Sequence, residues 1–561
     1  MDSGACGRGW ATDGRSRVTR CTLHGVPGGS MPIALALEWQ FDPARSGLRQ
    51  TRRDVTLVAP VASDGAPEAP PREPDDAVRV RGVAIPRPLL VWVPSLVPAL
   101  LMLVVGRIGL RRPAVGWDEN ATWLVSRRTV GQIVDQARHF DGVISPYYMF
   151  MHFWTSVFGD SEFWLRAPSL IAVAAGVGIS AELGRRLFGP AVGLLGGLLL
   201  VTVPQLSRYA QDARAYGLAF LFATLATLLL HRALRQPSWP RWIAYGVAVT
   251  LLGLSHILAL LVLIGHGYAV LTRARRDAAG ARPLHWLVVT AVAVLPVLPF
   301  VYLGLTQRGS QLDWLPPMTV RQVLDAPGDI FGAAAVGLLL IGLALVARHR
   351  DDRALREFAV LAVAPPAVLM GVSFVTSSLW VPRYVLVVVP VVCLCAAVSL
   401  RVVPLRAVAA LLLLAGVGYP AQQRLRGQTS HMGPDFRTVG RQLERNQQPG
   451  DVIVYGSSGA WSLRAGIDYQ LRGRAKPRDV LLRTPAAEVG ELDAVQCADK
   501  VACLGTSRRV WFFRWQSPGK ELTSEAPLAD AGGLGTVLTS QYRVAGVWRA
   551  TKANLILFER R

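Results

Sequence analysis

Apolar stretches recur along residues 89–420: 89–109, 168–183, 191–204, 215–231, 242–254, 257–271, 285–303, 330–347, 358–374, 384–400 and 405–419. Each is apolar all round, whereas a surface helix of a soluble protein keeps one polar face. Most approach the roughly 20 residues that cross a bilayer. In lipid such stretches satisfy their backbone polar groups only as helices. The chain therefore reads as a polytopic α-helical membrane protein with about eleven spans, of which 242–254 and 257–271 are short. Charged residues make up only 17% of the sequence, against roughly 25% in soluble proteins, and the shortfall lies in this region.

Loop charge sets the topology. Arg185 and Arg186, then Arg232, Arg235 and Arg241, then Arg273, Arg275, Arg276 and Arg282, then Arg348, Arg350, Arg353 and Arg356, then Arg401 and Arg406 fall on one side. Basic loops mark the cytoplasmic side. The parity holds if the aromatic segment Ser145–Phe158 lies in the interface rather than crossing. The loop with Asp118 and the region after Tyr419 are then extracytoplasmic, in a plasma-membrane protein. The net charge of +22 is thus largely a matter of membrane orientation. No basic domain with groove-reading elements is present, so nucleic acid is not an expected partner.

Residues 1–87 are rich in Pro, Gly, Arg and Asp and read as a disordered tail without an apolar leader. Residues 88–421 form the membrane domain and 422–561 a small extracytoplasmic α/β domain. In that domain Asp435 is placed to cap a helix ending before Pro449-Gly450. Residues 451–455, 509–515, 542–548 and 554–558 read as strands, being β-branched and aromatic. Cys497 and Cys503 could pair in an oxidising compartment, whereas Cys393 and Cys395 lie in an apolar span and read as packing residues. No Cys/His pattern has zinc spacing.

The outer side collects the polar oddities. Asp118 and Glu119 follow the first span. Asp141 precedes Tyr147, Tyr148 and His152. Arg166 follows, then Gln211, Asp212, Arg214 and Tyr216, then His256, and finally Arg383-Tyr384. Ionisable groups at membrane depth are costly and tend to mark function. A carboxylate at the interface can take a proton from an acceptor hydroxyl, and guanidinium groups suit a phosphate leaving group. Plainer roles exist for each. Asp118 could pair with Arg111 or Arg112, and Glu119 could serve a helix start. Asp212 and Arg214 could brace their loop, His152 and His256 could be packed, and Arg383 could snorkel. Tyr147, Tyr148 and Trp154 could form a membrane belt. The doublet also leaves open a divalent cation, Mg or Mn, on Asp118 and Glu119. No cofactor is otherwise called for.

Taken in order, Trp117-Asp118-Glu119-Asn120, Ser145-Pro-Tyr-Tyr148, Met151-His-Phe-Trp154, the run 158–169, Gly184-Arg-Arg-Leu-Phe-Gly189, Tyr209-Ala-Gln-Asp-Ala-Arg-Ala-Tyr216 and Pro382-Arg-Tyr384 resemble the GT-C type membrane glycosyltransferases, in particular their protein-mannosyltransferase-like branch. The Arg-, Ala- and Gly-rich composition suits a high-GC actinobacterial source by association. The resemblance implies transfer of a sugar, mannose or another hexose, from a polyprenyl-phosphate donor to an extracytoplasmic lipid, protein or polysaccharide acceptor, with inversion. It implies Asp118 as base, Glu119 beside it in acceptor or metal contact, and Arg166 and Arg214 as donor-phosphate ligands. Many relatives carry His-Pro-Pro-Leu-Tyr where this chain has Gly-Val-Ile-Ser-Pro-Tyr, and Gln-Glu-Ala-Arg where it has Gln-Asp-Ala-Arg. The rival expectation is a transporter or flippase for a lipid-linked sugar, although no internal repeat supports it.

Overall fold

The computed structural model describes residues 91–275, 283–312, 315–347, 352–376, 378–457, 459–516 and 533–561, with the short pieces 6–10, 17–21, 77–80, 83–86, 528 and 531. The chain divides into two compact units, Met1–Asp75 and Asp76–Arg561. The described part of the first is one antiparallel hairpin, Cys6–Trp10 with Arg17–Cys21. The expected disordered tail, 1–87, falls mostly outside the described residues. A second short hairpin, Ala77–Val80 with Val83–Pro86, opens the larger unit.

Each of the apolar stretches read from the sequence carries helix among the described residues. Among the described residues, seven helices are long and apolar enough to cross a membrane, and up to nine if each bent pair counts as one span. The bent pairs are Pro190–Thr202 with Pro204–Ala210, at 73°, and Val320–Phe331 with Ala334–Ala347, at 90°. The expectation of about eleven thus includes two helices that fall short by length, Val93–Arg107 with 15 residues and Trp239–Ser255 with 17.

The centre of the bundle is Glu162–Phe188, started by the Ser161 hydroxyl, which accepts from Trp164 N, and ended at Gly189 with φ +101°. It packs against Val93–Arg107, Pro190–Thr202 and Tyr216–Arg235. Small residues allow this, as is usual between helices in lipid. A Cβ on Gly193 would stand 2.5 Å from the Ala181 carbonyl oxygen.

Contacts support the expected parity of the loops. Arg235 donates to the Arg186 carbonyl. Arg273 clamps Glu357 through Nε and Nη2, at 3.1 and 2.9 Å, and lies 2.9 Å from His231. Ser95 Oγ donates to Glu182, which holds Arg185 and Arg186. The start of the first span and the basic loops therefore share one end of the bundle. The Asp118 loop lies at the other.

The C-terminal region is a five-stranded mixed sheet in the order Tyr542–Ala550, Ala553–Arg560, Arg509–Trp515, Val452–Tyr455, Arg478–Asp479. The first three strands are antiparallel and the last two pairings parallel. Side chains alternate between its faces, as the strand period of two requires. Ile453, Tyr455, Trp511 and Phe513 meet the helices Phe436–Asn446 and Ala460–Gln470. Val452, Val454, Val510 and Phe512 meet Leu504, Leu534 and Leu538 on the far side. Asp435 caps the first helix, accepting from Thr438 N at 3.0 Å. Cys497 and Cys503 are joined as a disulfide, and Cys393 and Cys395 are free and buried.

This domain docks directly on the helix that carries the acidic doublet. Asn120 donates to Ser462, and Trp117 meets Trp461 and Trp515 edge-on at 6.1 and 6.0 Å. Arg437 holds Glu162 at 2.5 Å and the Arg111 carbonyl at 2.8 Å.

Candidate active site

The site begins with a glycine. A Cβ on Gly116 would lie 1.7 Å from the His431 carbonyl oxygen, so only glycine fits here. Gly116 is the N-cap of the helix Trp117–Ser126, and the Glu119 side chain accepts from its backbone N–H at 3.1 Å. Asp118 and Glu119 therefore occupy the first helical turn, where carboxylates favour the dipole. Successive residues of a helix diverge by about 100°, so the two carboxylates turn to different partners.

Glu119 points inward and is 1% exposed. Its two oxygens take the Nε and Nη2 of Arg166 at 2.7 and 2.6 Å, the Ala213 N–H at 3.0 Å and His431 Nδ1 at 2.9 Å. Arg166 also donates to the carbonyls of Leu110, Pro113 and Ala114. All five of its N–H groups are thereby used. Burial alone would raise the Glu119 carboxyl, but Arg166 and His431 outweigh it and hold it well below the usual range. Burial and Arg208 push His431 down to about 3, so the ring is neutral and helps Glu119 by donating its Nδ1 proton. The 3.2 Å approach of Arg166 to the same nitrogen is then a contact between two donors. Two expectations are corrected here. Arg166 has no donor left for a substrate phosphate, and Glu119 is a packed helix-start anchor rather than an acceptor contact.

Asp118 points the other way. Its side chain is 44% exposed, and Oδ2 lies 3.7 Å from Nη2 of Arg383. Burial would raise this carboxyl, yet Arg214, Arg383 and Arg208 together draw it below its usual value. It is ionised at neutral pH. Arg214 is buried in the loop after the bent pair, and its Nη1 reaches the Asp118 carbonyl at 3.5 Å and the Tyr148 hydroxyl at 3.2 Å. Tyr148 in turn donates to Asp141 at 2.7 Å. Asp141 has φ +56°, a left-handed conformation costly for a residue with a Cβ. Burial raises its carboxyl above the usual value. Arg383 lies over the rings of Tyr216 and Tyr384, at 5.3 and 5.9 Å, and the His256 ring packs 4.5 Å from Tyr384.

Asp118, Asp141, Tyr148, Arg214, Tyr216, His256, Arg383 and Tyr384 are thus brought together. Asp212 stands beside them, 3.5 Å from Arg208, and burial raises its carboxyl to about 6. Others are not brought in. Gln211 braces the carbonyls of Gly106 and Ile108, and His152 turns to the Ser126 carbonyl. Tyr147 is buried in the aromatic cluster under the helix. Arg208 and His431 were not foreseen as site residues. Arg208 sits one helical turn before Asp212, a visible i,i+4 spacing, whereas His431 lies in a linker with no motif.

The option of a divalent cation on Asp118 and Glu119 does not fit, because their carboxylates face apart and Glu119 is saturated. Glu119, Asp212 and His431 bring ligand atoms within 4.8 Å of one another. A cation there would have to displace Arg166 from Glu119.

Comparisons with known proteins agree with this architecture. Residues 146–303 match the family described as dolichyl-phosphate-mannose-protein mannosyltransferase, a stretch that includes Tyr148, Arg214 and Tyr216 but neither Asp118 nor Arg383. The fold is similar to that of ArnT from Cupriavidus metallidurans in the apo state, at 16% identity and TM-score 0.51, covering 82% of this chain and 97% of that one. It is equally similar to ArnT from the same organism bound to undecaprenyl phosphate, at 15% identity and TM-score 0.50 with the same coverage. No curated protein matches the sequence. The chain therefore shares the membrane-protein fold of these structures, with a small C-terminal sheet domain, and resembles the mannosyltransferase family over residues 146–303.

Proposed function

We propose that this protein is a membrane glycosyltransferase that moves a hexose, mannose in the first instance, from a polyprenyl-phosphate donor to an acceptor hydroxyl with inversion at the anomeric carbon. The observation that carries the reading is the open, ionised Asp118 carboxylate 3.7 Å from Arg383, with Arg214 buried behind it. Asp118 takes the proton of the acceptor hydroxyl as its oxygen bonds to the anomeric carbon. The bond from that carbon to the phosphate oxygen breaks, and the lipid phosphate leaves with the electron pair. Arg383 and Arg214 stabilise that charge, and fixed charges aimed at a developing anion usually supply much of an enzyme's rate enhancement. The lipid-phosphate class is supported by the similarly folded ArnT, which binds undecaprenyl phosphate. No step is routed through a metal.

An extracytoplasmic site is supported by its lying at the end of the bundle opposite the basic loops, which the positive-inside tendency assigns to the cytoplasm. The Cys497–Cys503 disulfide accords with an oxidising compartment for the C-terminal domain. The test is Asp118→Asn in membranes supplied with labelled polyprenyl-phosphate mannose. Loss of transfer with the donor still bound supports the base assignment, and wild-type turnover refutes it. Donor movement across vesicles without any glycosyl transfer would favour the transporter reading instead.

A further inference from the structure

A cavity of about 710 Å³ lies where the C-terminal domain meets the helix of Asp118. Trp123 and Leu124 of that helix line it, with Arg127 and Arg128 just beyond its end. The opposite wall comes from Tyr455, Trp461 and Arg464. Seven Arg and Lys side chains line it against two carboxylates, Asp468 and Asp479. Its size is that of a small-ligand site.

Two of its cations are sunk in protein. Arg128 is 4% exposed and Arg464 is 9% exposed. Arg464 pairs with Asp479 through Nε at 2.7 Å and with Asp493 through Nη1 at 3.1 Å. Its buried Nη2 has no hydrogen-bond partner among the described residues. An unsatisfied buried donor on a charged group is costly. The same guanidinium lies 5.2 Å over the Tyr455 ring, so cationic and aromatic groups interleave on one wall. Trp461 joins the cavity to the catalytic end, since it touches Trp117, the neighbour of Asp118. Leu124 stands about 9 Å along the helix axis from Asp118 and on a different face, so the cavity adjoins the catalytic end without including it.

We infer that this cavity is a subsite for the part of the acceptor remote from the reacting hydroxyl and that it takes an acidic saccharide, one carrying carboxylate or phosphate groups. The inference rests on the transferase reading and adds the acceptor's chemical class. Guanidinium groups pair with carboxylate and phosphate oxygens in a planar fork. The tryptophan and tyrosine faces cover the apolar faces of sugar rings.

The experiment uses the full chain purified in detergent, with equilibrium binding of four probes: trigalacturonate, a phosphorylated mannotriose, neutral mannotriose and a hexaglutamate peptide. Both acidic sugars are expected to bind with salt-sensitive affinity, and the two sources of charge are told apart by which binds tighter. Neutral sugar and peptide are expected to bind at least about tenfold more weakly. Arg127 and Arg478 are exposed, so R127E/R478E should fold. It is expected to lose acidic-sugar affinity by about tenfold or more while undecaprenyl phosphate still binds. R127Q/R478Q, read the same way, serves if the reversal lowers the melting temperature. Equal binding of the peptide, or unchanged acidic-sugar affinity in both variants, overturns the inference. Transfer to neutral mannotriose by a wild-type protein that binds no acidic sugar overturns it too, and leaves the transferase reading intact. Acidic-sugar binding by a protein that transfers from no polyprenyl-phosphate sugar supports the ligand class and overturns the transferase reading.

Discussion

Replacing Glu119 by Gln separates anchoring from chemistry within the acidic doublet. All the partners of Glu119 are donors: the N–H groups of Gly116 and Ala213, Nε and Nη2 of Arg166, and Nδ1 of His431. Gln keeps the volume but turns one acceptor oxygen into an NH2, which must then face a donor. It also leaves the Arg166 charge, 1% exposed, without its counter-ion. Breaking a buried pair by removing one partner costs about 3–5 kcal/mol. E119Q is therefore expected to melt well below the wild type in a detergent thermal-shift assay and to lose activity in proportion to the folded fraction. The doubly altered E119Q/R166M should recover only part of that loss, because Arg166 also holds three carbonyls of the 110–114 loop. The two changes should be non-additive in a double-mutant cycle. An E119Q protein with wild-type melting and abolished turnover would refute the anchoring role and return Glu119 to the chemistry.

D118N should show the opposite pattern, with unchanged melting and turnover lower by about 10²–10⁴-fold; a matching loss of stability would count against a base. R383Q should weaken undecaprenyl-phosphate binding, checked by direct titration, and should make turnover less dependent on ionic strength. G116A should cost about 1–3 kcal/mol, read by thermal shift, since its Cβ would collide with the His431 carbonyl. Asp212 carries a pKa raised to about 6, so the folded protein holds a proton that the unfolded chain releases from about pH 4 upward. Stability should therefore fall as pH rises from about 4 to about 6, and D212N should remove that part of the profile. Glu119, depressed in the fold, acts in the reverse sense: its contribution is present above the ordinary glutamate value and is lost as pH falls through the depressed one. A single acid limb, unaffected by either substitution, would contradict both assignments.

Much of the architecture was legible because it rests on one-dimensional patterns. Apolar runs located the helices, and loop arginines located their common end, as Arg186 with Arg235 and Arg273 with Glu357 bear out. β-Branched and aromatic content located the strands of the C-terminal sheet, where Arg509–Trp515 matches its predicted bounds. Helix lengths were less legible. Val93–Arg107 and the 90° bend after Phe331 depend on packing rather than on hydropathy alone.

The candidate site was legible to the degree that its residues lie on one side of the membrane, but side is a coarser property than direction. Read as a loop, Asp118 and Glu119 could share a target. Once Gly116 is forced to be the cap by the His431 carbonyl, the doublet is helical and its carboxylates must part by about 100°. The linker that places His431 has no sequence signature. Yet its contact decides that one carboxylate anchors Arg166 and the other stays open beside Arg383. The C-terminal domain supplies that linker, along with the tryptophans around Trp117, so the base is oriented by residues more than 300 positions away in sequence. A change in the docking of this domain, for instance Ser462→Trp beside Asn120, should thus lower turnover while Arg214 and Arg383 remain in place.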